Sequence, residues 1–284
     1  MNNDLVVIGN VSEDHVSYNG GSRRSFWGGS GLNISVSAAQ FGMRPRLVSV
    51  VGEDALDLLS QLEDRIDVSL VKVLNGKTCR FEIQYSRDGT LQGVNCDFGV
   101  ANFLNSYLQE IDLPPAYYHV SCRQPVRPKR ILPRITDRRL PFSLDFILSS
   151  ARQQIAEAER WIQDAKYIFM NSQELEIFQG FHRISDVQTL IVTSSNQPVR
   201  VFKFGHEVLR RACSTKEFCD VTGAGDVFIG TFLASQFEGE GLRKSVERAI
   251  LGAQKSLDSL GALQFLRRMS PPKQPTRPAP AGWS

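Results

Sequence analysis

The chain is poor in the residues that build metal and disulfide frameworks. Its 284 residues include four histidines and five cysteines. The cysteines (Cys79, Cys96, Cys122, Cys213 and Cys219) are odd in number and nowhere spaced C-x-x-C, which argues against both a zinc site and a paired disulfide scaffold. Scattered thiols suit a reducing compartment, so the expected location is cytoplasmic. Long basic runs are missing too. Arg138-Arg139 and Arg210-Arg211 are isolated pairs and the formal net charge is +3, so no nucleic-acid partner is expected. The first apolar run, Leu5 to Ile8, is far too short for a signal core or a membrane span, and Met1-Asn2-Asn3-Asp4 carries no basic residue. No membrane partner is expected either. That run is followed by Gly9-Asn10-Val11-Ser12-Glu13-Asp14, which lacks the glycine fingerprint of a dinucleotide site and excludes an NAD-dependent oxidoreductase. No Walker A motif and no internal repeat occur.

What is present is an ordinary globular composition, 42% hydrophobic and 22% charged, and a length suited to one large α/β domain or two smaller ones. The continuous apolar run Leu5–Ile8 reads as a buried strand, and Arg46–Gly52, Tyr117–Ser121, Leu140–Asp145, Tyr167–Met170 and Leu190–Thr193 read as further strands. Helical spacing follows at Ile34–Gly42, Glu53–Leu62, Ile155–Ala165, after Gly225 and at Arg243–Leu260, the last ending at Gly261. Thr78–Ile83 and Thr90–Val94 flank the turn Arg87-Asp88-Gly89 as a polar hairpin. Val199–Phe202 and Glu207–Arg210 suggest a second hairpin. A basic, proline-bearing segment separates the strands at 117–121 and 140–145. The end of the chain, 271–284, holds Pro271, Pro272, Pro275, Pro278 and Pro280 and is expected to lie outside the fold. Alternating strands and helices predict a three-layer αβα arrangement, with helices on both faces of a mainly parallel sheet. Ligands in such sheets bind at the carboxyl ends of the strands. Asp14, Asn171, Thr193 and the loop before Asp226 all follow predicted strands and are expected at that rim.

The stretch Cys219-Asp220-Val221-Thr222-Gly223-Ala224-Gly225-Asp226-Val227-Phe228 carries the sharpest chemistry. Its glycines permit close backbone approach. Phe228, Ile229, Phe232, Leu233 and Phe237 then recur at helical spacing. A helix opening here offers free backbone amides and the positive end of its dipole to an anion such as phosphate. Asp226 would stand beside it, placed to accept a proton from an attacking hydroxyl. The plainer alternative is a loop followed by an Asp that offsets the helix dipole. Upstream, Phe26-Trp27-Gly28-Gly29-Ser30-Gly31-Leu32-Asn33 leads into the small-residue run Ile34-Ser35-Val36-Ser37-Ala38-Ala39. This again suggests close approach to a ligand, with the Asn33 amide free to bind hydroxyls.

Taken together, Gly28–Asn33 with Phe41-Gly42, Asp220–Phe228, and Asn171-Ser172-Gln173-Glu174 between them resemble the ribokinase-like (PfkB) carbohydrate kinase family over roughly Leu5 to Leu263. The resemblance implies a Rossmann-like kinase domain spanning about 1–270. A small β-lid would come from about 11–27 and 76–100. Asp226 would be the catalytic base, and Gly223, Ala224 and Gly225 the anion hole. Asp14, Gly28, Gly29 and Asn33 would hold substrate hydroxyls. Asn171, Glu174 and Thr193 would face nucleotide phosphates and magnesium. Asp220 and Thr222 would bind a monovalent cation such as K+. The implied reaction is in-line transfer of the γ-phosphate of ATP, with Mg2+, to a hydroxyl of a small sugar, cyclitol or nucleoside, and two copies would pair through the lid. The family's glycine-bearing turn after Thr193 is here Ser194-Ser195-Asn196-Gln197-Pro198. That departure leaves a second expectation, a non-catalytic small-molecule-binding or regulatory protein on the same fold. A nucleoside acceptor would call for an aromatic platform, for which Tyr18, Phe26 and Trp27 are candidates. A sugar phosphate or acid would call for extra cations, for which Arg80, Arg123 and Arg127 are candidates.

Overall fold

The computed structural model describes residues 4–18, 23–86, 91–194, 197–213, 223–257 and 261–267. The elements run β1 Leu5–Ile8, β2 Ser12–Tyr18, β3 Arg24–Gly28, α1 Ser30–Gln40, β4 Arg46–Gly52, α2 Leu56–Leu62, β5 Asp67–Leu74, β6 Cys79–Tyr85, β7 Leu91–Asp97 and α3 Leu104–Glu110. They continue with β8 Tyr117–Cys122, α4 Pro128–Asp137, β9 Phe142–Phe146, α5 Ala151–Ala158, β10 Tyr167–Asn171, α6 Ser172–Gln179, β11 Thr189–Ser194, β12 Gln197–Lys203 and β13 His206–Arg211. The last are α7 Ala224–Phe237, α8 Leu242–Ser256 and α9 Gly261–Arg267.

One sheet has nine strands in the order β13-β12-β11-β10-β9-β8-β1-β4-β5. Every pair from β11 to β5 is parallel, and β12 and β13 close one edge as an antiparallel hairpin. The two-residue alternation of each strand divides its side chains between two apolar layers. Val6 and Ile8 of β1 pack with α3, α4, α5 and α6 through Leu104, Leu108, Ile131, Leu132, Ile155 and Phe178. Leu5 and Val7 face α1, α7 and α8, and Leu47 and Val51 of β4 meet α1 and α2. With both faces covered, the central strands are buried along most of their length and mainly apolar, with His119, Ser143 and Asp145 among the exceptions, which is why they stand out in the sequence.

A second sheet, β3-β2-β6-β7, stands apart from the first. Its center is a parallel pairing of β2 with β6, flanked by antiparallel β3 and β7. The hairpin read from sequence is thus half of a four-stranded unit whose other half is residues 12–28. The turn 87–90 lies outside the described residues, as do residues 214–222, 258–260 and 268–284.

Several elements differ from the sequence reading. The proline-bearing segment before β9 contains a helix, α4, with Pro128 in its first turn, where no amide donor is needed. Pro133 lies inside it and removes one backbone bond, while burial of Ile131, Leu132 and Ile135 holds the helix to the sheet. The helix expected at 155–165 begins earlier, at Ala151, and gives way to a 3-10 segment at Glu159–Asp164. Beyond Gly261 a further helix, α9, packs on α1 and β3.

Candidate active site

The parallel strands bring their carboxyl ends to one rim, and α1 and α7 aim their first turns at it. Their approach is set by glycine. Gly9 and Gly31 lie so close that a Cβ added to Gly9 would sit 2.7 Å from the Gly31 amide nitrogen. Asn10 fixes this junction, its Oδ1 accepting from the Ser30 amide at 3.3 Å and the Ser30 hydroxyl at 3.1 Å. Gly29 has φ +94° and a Cβ there would strike the Asn10 carbonyl at 2.6 Å. On α7, Gly230 faces Ser37 Oγ and the Ile34 carbonyl, which an added Cβ would meet at 2.0 and 2.3 Å. The two helices therefore cross almost backbone to backbone.

That crossing brings Asn33 on α1 to Asp226 in the first turn of α7, with Asn33 Nδ2 donating to Asp226 Oδ2 at 3.2 Å. Gly223 stands at the start of α7 in the left-handed region (φ +84°), and a side chain there would strike Asn33 Nδ2 at 2.7 Å. No side chain caps this helix, and a Cβ on Gly225 would meet nothing within 4 Å. Among the described residues, then, no side chain covers the amide-bearing end of α7 beside its buried carboxylate. Asp14, in β2, is also buried, accepts from the Ser12 hydroxyl at 2.7 Å, and lies against Gly28, whose added Cβ would be 2.2 Å from Asp14 Oδ2.

Across the rim, Asn171 ends β10 and caps α6. Its side chain accepts from the Glu174 amide at 2.9 Å while Glu174 takes the Asn171 backbone and side-chain amides, both at 2.8 Å. Burial raises the Glu174 carboxyl to about 7, against the Asn171 amide and the Arg123 charge, which favor its ionized form. Thr193 pairs with Asn171 in the β10–β11 register. Replacing Asn171 with Ala removes this capping box. The expected loss is about 1 kcal/mol, seen by calorimetry as a fall in Tm of about 2–4 °C. Asp220 and Thr222, the expected cation ligands, lie outside the described residues, as do Ser195 and Asn196.

The structure adds a group of residues that the sequence reading did not connect. Arg123, just past β8, places Nη2 2.5 Å from Asp145 Oδ2 and 2.7 Å from Asp226 Oδ1. Its Nε donates to Asp145 Oδ2 at 2.7 Å. Behind Asp145, His119 Nε2 lies 3.1 Å from Oδ1, and His119 Nδ1 lies 2.9 Å from Ser143 Oγ. Burial pushes both carboxyls up. For Asp145, Arg123 and His119 more than offset it and hold the carboxyl below the ordinary range. For Asp226, burial prevails over the Arg123 charge, leaving its carboxyl above the ordinary range. The sequence signal was a histidine in a buried, mainly apolar strand; the structure pairs it in register with Ser143.

A doubly covered, mainly parallel sheet with its rim site beside the α7 start is the ribokinase-like architecture. The pfkB family carbohydrate kinase model matches residues 2–267; the chain belongs to that family and is a phosphotransferase with a hydroxyl acceptor. It is 27% identical over 277 residues to the cytidine kinase of Thermococcus kodakarensis, covering 91% of this chain and 97% of that one. The nucleoside kinase of Methanocaldococcus jannaschii superposes with a TM-score of 0.78 at 19% identity, covering 94% of this chain and 98% of that one. The Burkholderia thailandensis nucleoside kinase in complex with ADP-inosine does so with a TM-score of 0.76 at 17% identity, covering 92% and 91%.

Proposed function

We propose that the protein is a nucleoside kinase that transfers the γ-phosphate of ATP to a hydroxyl of a neutral nucleoside. The observation that carries the acceptor class is the state of the basic side chains that an anionic acceptor would need. Arg80 is paired with Glu13 at 2.9 Å, Arg127 with Glu157, and Arg123 with Asp145 and Asp226. None of these three is left to meet a sugar phosphate or a sugar acid. Phe26, half-buried on β3 and opposite Asp14 in the β2–β3 register, offers apolar surface next to it, whereas Trp27 faces the other side of that sheet. The similarity to a cytidine kinase along nearly the whole chain supports the same acceptor class.

In this reading Asp226 takes the proton of the acceptor hydroxyl as the oxygen–phosphorus bond forms and the bond from the γ-phosphorus to the ADP oxygen breaks. Its burial favors proton uptake. The amides at Gly223, Ala224 and Gly225 face the charge that develops on the transferred group. Asp14 and Asn33 hold the sugar hydroxyls, and Gly28 and Gly29 keep side chains out of that space. Asn171, Glu174 and Thr193 stand where the nucleotide phosphates would lie. Among the described residues no group of three or more His, Cys, Asp or Glu could hold a metal ion. Glu174 and Asn171 would therefore meet a phosphate-borne Mg2+ through water, as suits a cation that dehydrates reluctantly. That ion would neutralize charge on the phosphate oxygens. Asp220 and Thr222 complete the proposal as a K+ site. The sheet β3-β2-β6-β7 serves as a lid that closes over the acceptor and excludes water.

Steady-state kinetics across cytidine, inosine, adenosine, ribose, fructose, fructose 6-phosphate and a ketodeoxy acid test the acceptor. The expected result is a kcat/KM for one of the nucleosides at least about a hundredfold above any phosphorylated or acidic acceptor, the discrimination that buried, unpaired polar groups impose. Preference for an anionic acceptor would overturn the reading.

A further inference from the structure

We propose that Arg123, held from behind by Asp145 and His119, is a positioning residue for Asp226: its guanidinium fixes the carboxylate in place and balances its charge inside a buried site. The inference rests on the reading of Asp226 as the base. A carboxylate shut away from water needs a partner if it is to be ionized at the start of the reaction. Asn33 gives Asp226 only a neutral amide, on Oδ2, whereas Arg123 supplies a full charge on Oδ1.

Arg123 is itself built into the fold. Its side chain is 19% exposed and those of Asp145 and Asp226 are 2% and 6%. Two donors grip one oxygen of Asp145, while the other oxygen is taken by His119. The parallel register of β8 and β9 sets His119 beside Ser143 and Ser121 beside Asp145. Sheet geometry therefore fixes the direction in which the guanidinium points. Among the described residues the groups facing Asp226 are few. β8 and its following turn contribute Arg123, β9 contributes Asp145, and α1 contributes the neutral Asn33. α8 meets α7 through Gly252 and Thr231. Glu174, on α6, acts on Arg123 from beyond.

The signs follow from electrostatics. The Arg123 charge favors the Asp226 anion, so its removal raises the proton affinity of Asp226. The Asp145 charge opposes that anion and shares Arg123 with it, so its removal lowers that affinity. A base works when deprotonated and loses activity as pH falls through its pKa. The acidic limb of kcat/KM should therefore move up in Arg123→Gln and down in Asp145→Asn. A merely structural role would move both variants the same way or neither.

The experiment titrates the side-chain carboxyls of carbon-13-labeled aspartate by NMR in the full-length protein, without ligands. Asp226 is assigned by the signal lost in Asp226→Asn. Arg123→Gln is expected to raise the Asp226 midpoint by about 1–3 units and Asp145→Asn to lower it, while Arg123→Lys stays close to wild type. If Arg123→Gln does not fold, Arg123→Lys and Asp145→Asn decide the point: a midpoint held near wild type in the first and lowered in the second supports the proposal, and a midpoint raised in Asp145→Asn overturns it. An unmoved midpoint in Arg123→Gln, or a rise in Asp145→Asn, would overturn the proposal. Because the titration needs no turnover, a protein inactive on every nucleoside would defeat the functional reading while leaving this result to stand or fall separately.

Discussion

Asp226→Asn lowers kcat by about a thousandfold or more, within the range that a positioned general base contributes, while nucleoside binding and the fold persist. The substitution keeps the size of the side chain: its remaining oxygen accepts from Arg123, and its amide donates to Asn33 once the Asn33 amide turns over to present its oxygen. Arg123 keeps its two donors to Asp145, so the loss of one charge does not strand the guanidinium. The expected pattern is a collapse of kcat with KM changed little, since an interaction made only in the transition state has been removed. Calorimetric binding of the nucleoside, measured beside the steady-state rates, separates this from a general loss of structure. A kcat within about tenfold of wild type would exceed what such a base can leave behind and would remove Asp226 from the chemistry.

Gly230→Ala damages both stability and activity, although Gly230 touches no substrate. In an isolated helix the change would be favorable by about 1 kcal/mol. Here the new Cβ would lie 2.3 Å from the Ile34 carbonyl and 3.1 Å from the Ala38 amide, both backbone atoms that move only if the helices separate. The expected cost is about 3 kcal/mol, the upper end of overpacking, or a Tm lower by about 6–12 °C. Separating α1 from α7 also lengthens the Asn33–Asp226 contact, so kcat falls with Tm. Gly225→Ala is the control. Its Cβ meets nothing within 4 Å, so Tm holds while nucleotide affinity falls as the side chain enters the space before the helix. Scanning calorimetry and kinetics on the two variants separate helix packing from ligand clearance.

The parts of the site legible in the sequence were those that depend on local backbone. Gly223, Gly225 and Asp226 announce a helix start, and Gly28-Gly29 before Asn33 announce another with close backbone approach, both of which the fold shows. Asn171 and Glu174 form a capping box within four consecutive residues. The central strands were legible because two covered faces demand mainly apolar runs. What sequence could not give was partnership across the sheet. His119, Asp145 and Arg123 meet only because β8 and β9 run parallel in one register, and Arg123, in the loop after β8, reaches Asp226 on the sequence-distant α7. Read alone, Arg123 suggested an acidic acceptor; its two carboxylate partners argue the opposite. β5 was missed because its side chains are only partly buried, which blurs the alternation. α4 was missed because its two prolines read as breaks when only one of them lies in the interior. The expectation of a non-catalytic binder came from residues 194–198; membership of a kinase family over 2–267 stands against it.

The central claim is that this rim transfers phosphate to a nucleoside hydroxyl rather than to water or to an anionic sugar. The most direct test follows the label from ATP carrying radioactive γ-phosphate, with magnesium and potassium present and cytidine, inosine or adenosine as acceptor. The label is expected on a nucleoside, with little free phosphate, and Asp226→Asn is expected to abolish the transfer. Label found only as free phosphate, or transferred to fructose 6-phosphate in preference to every nucleoside, would contradict it.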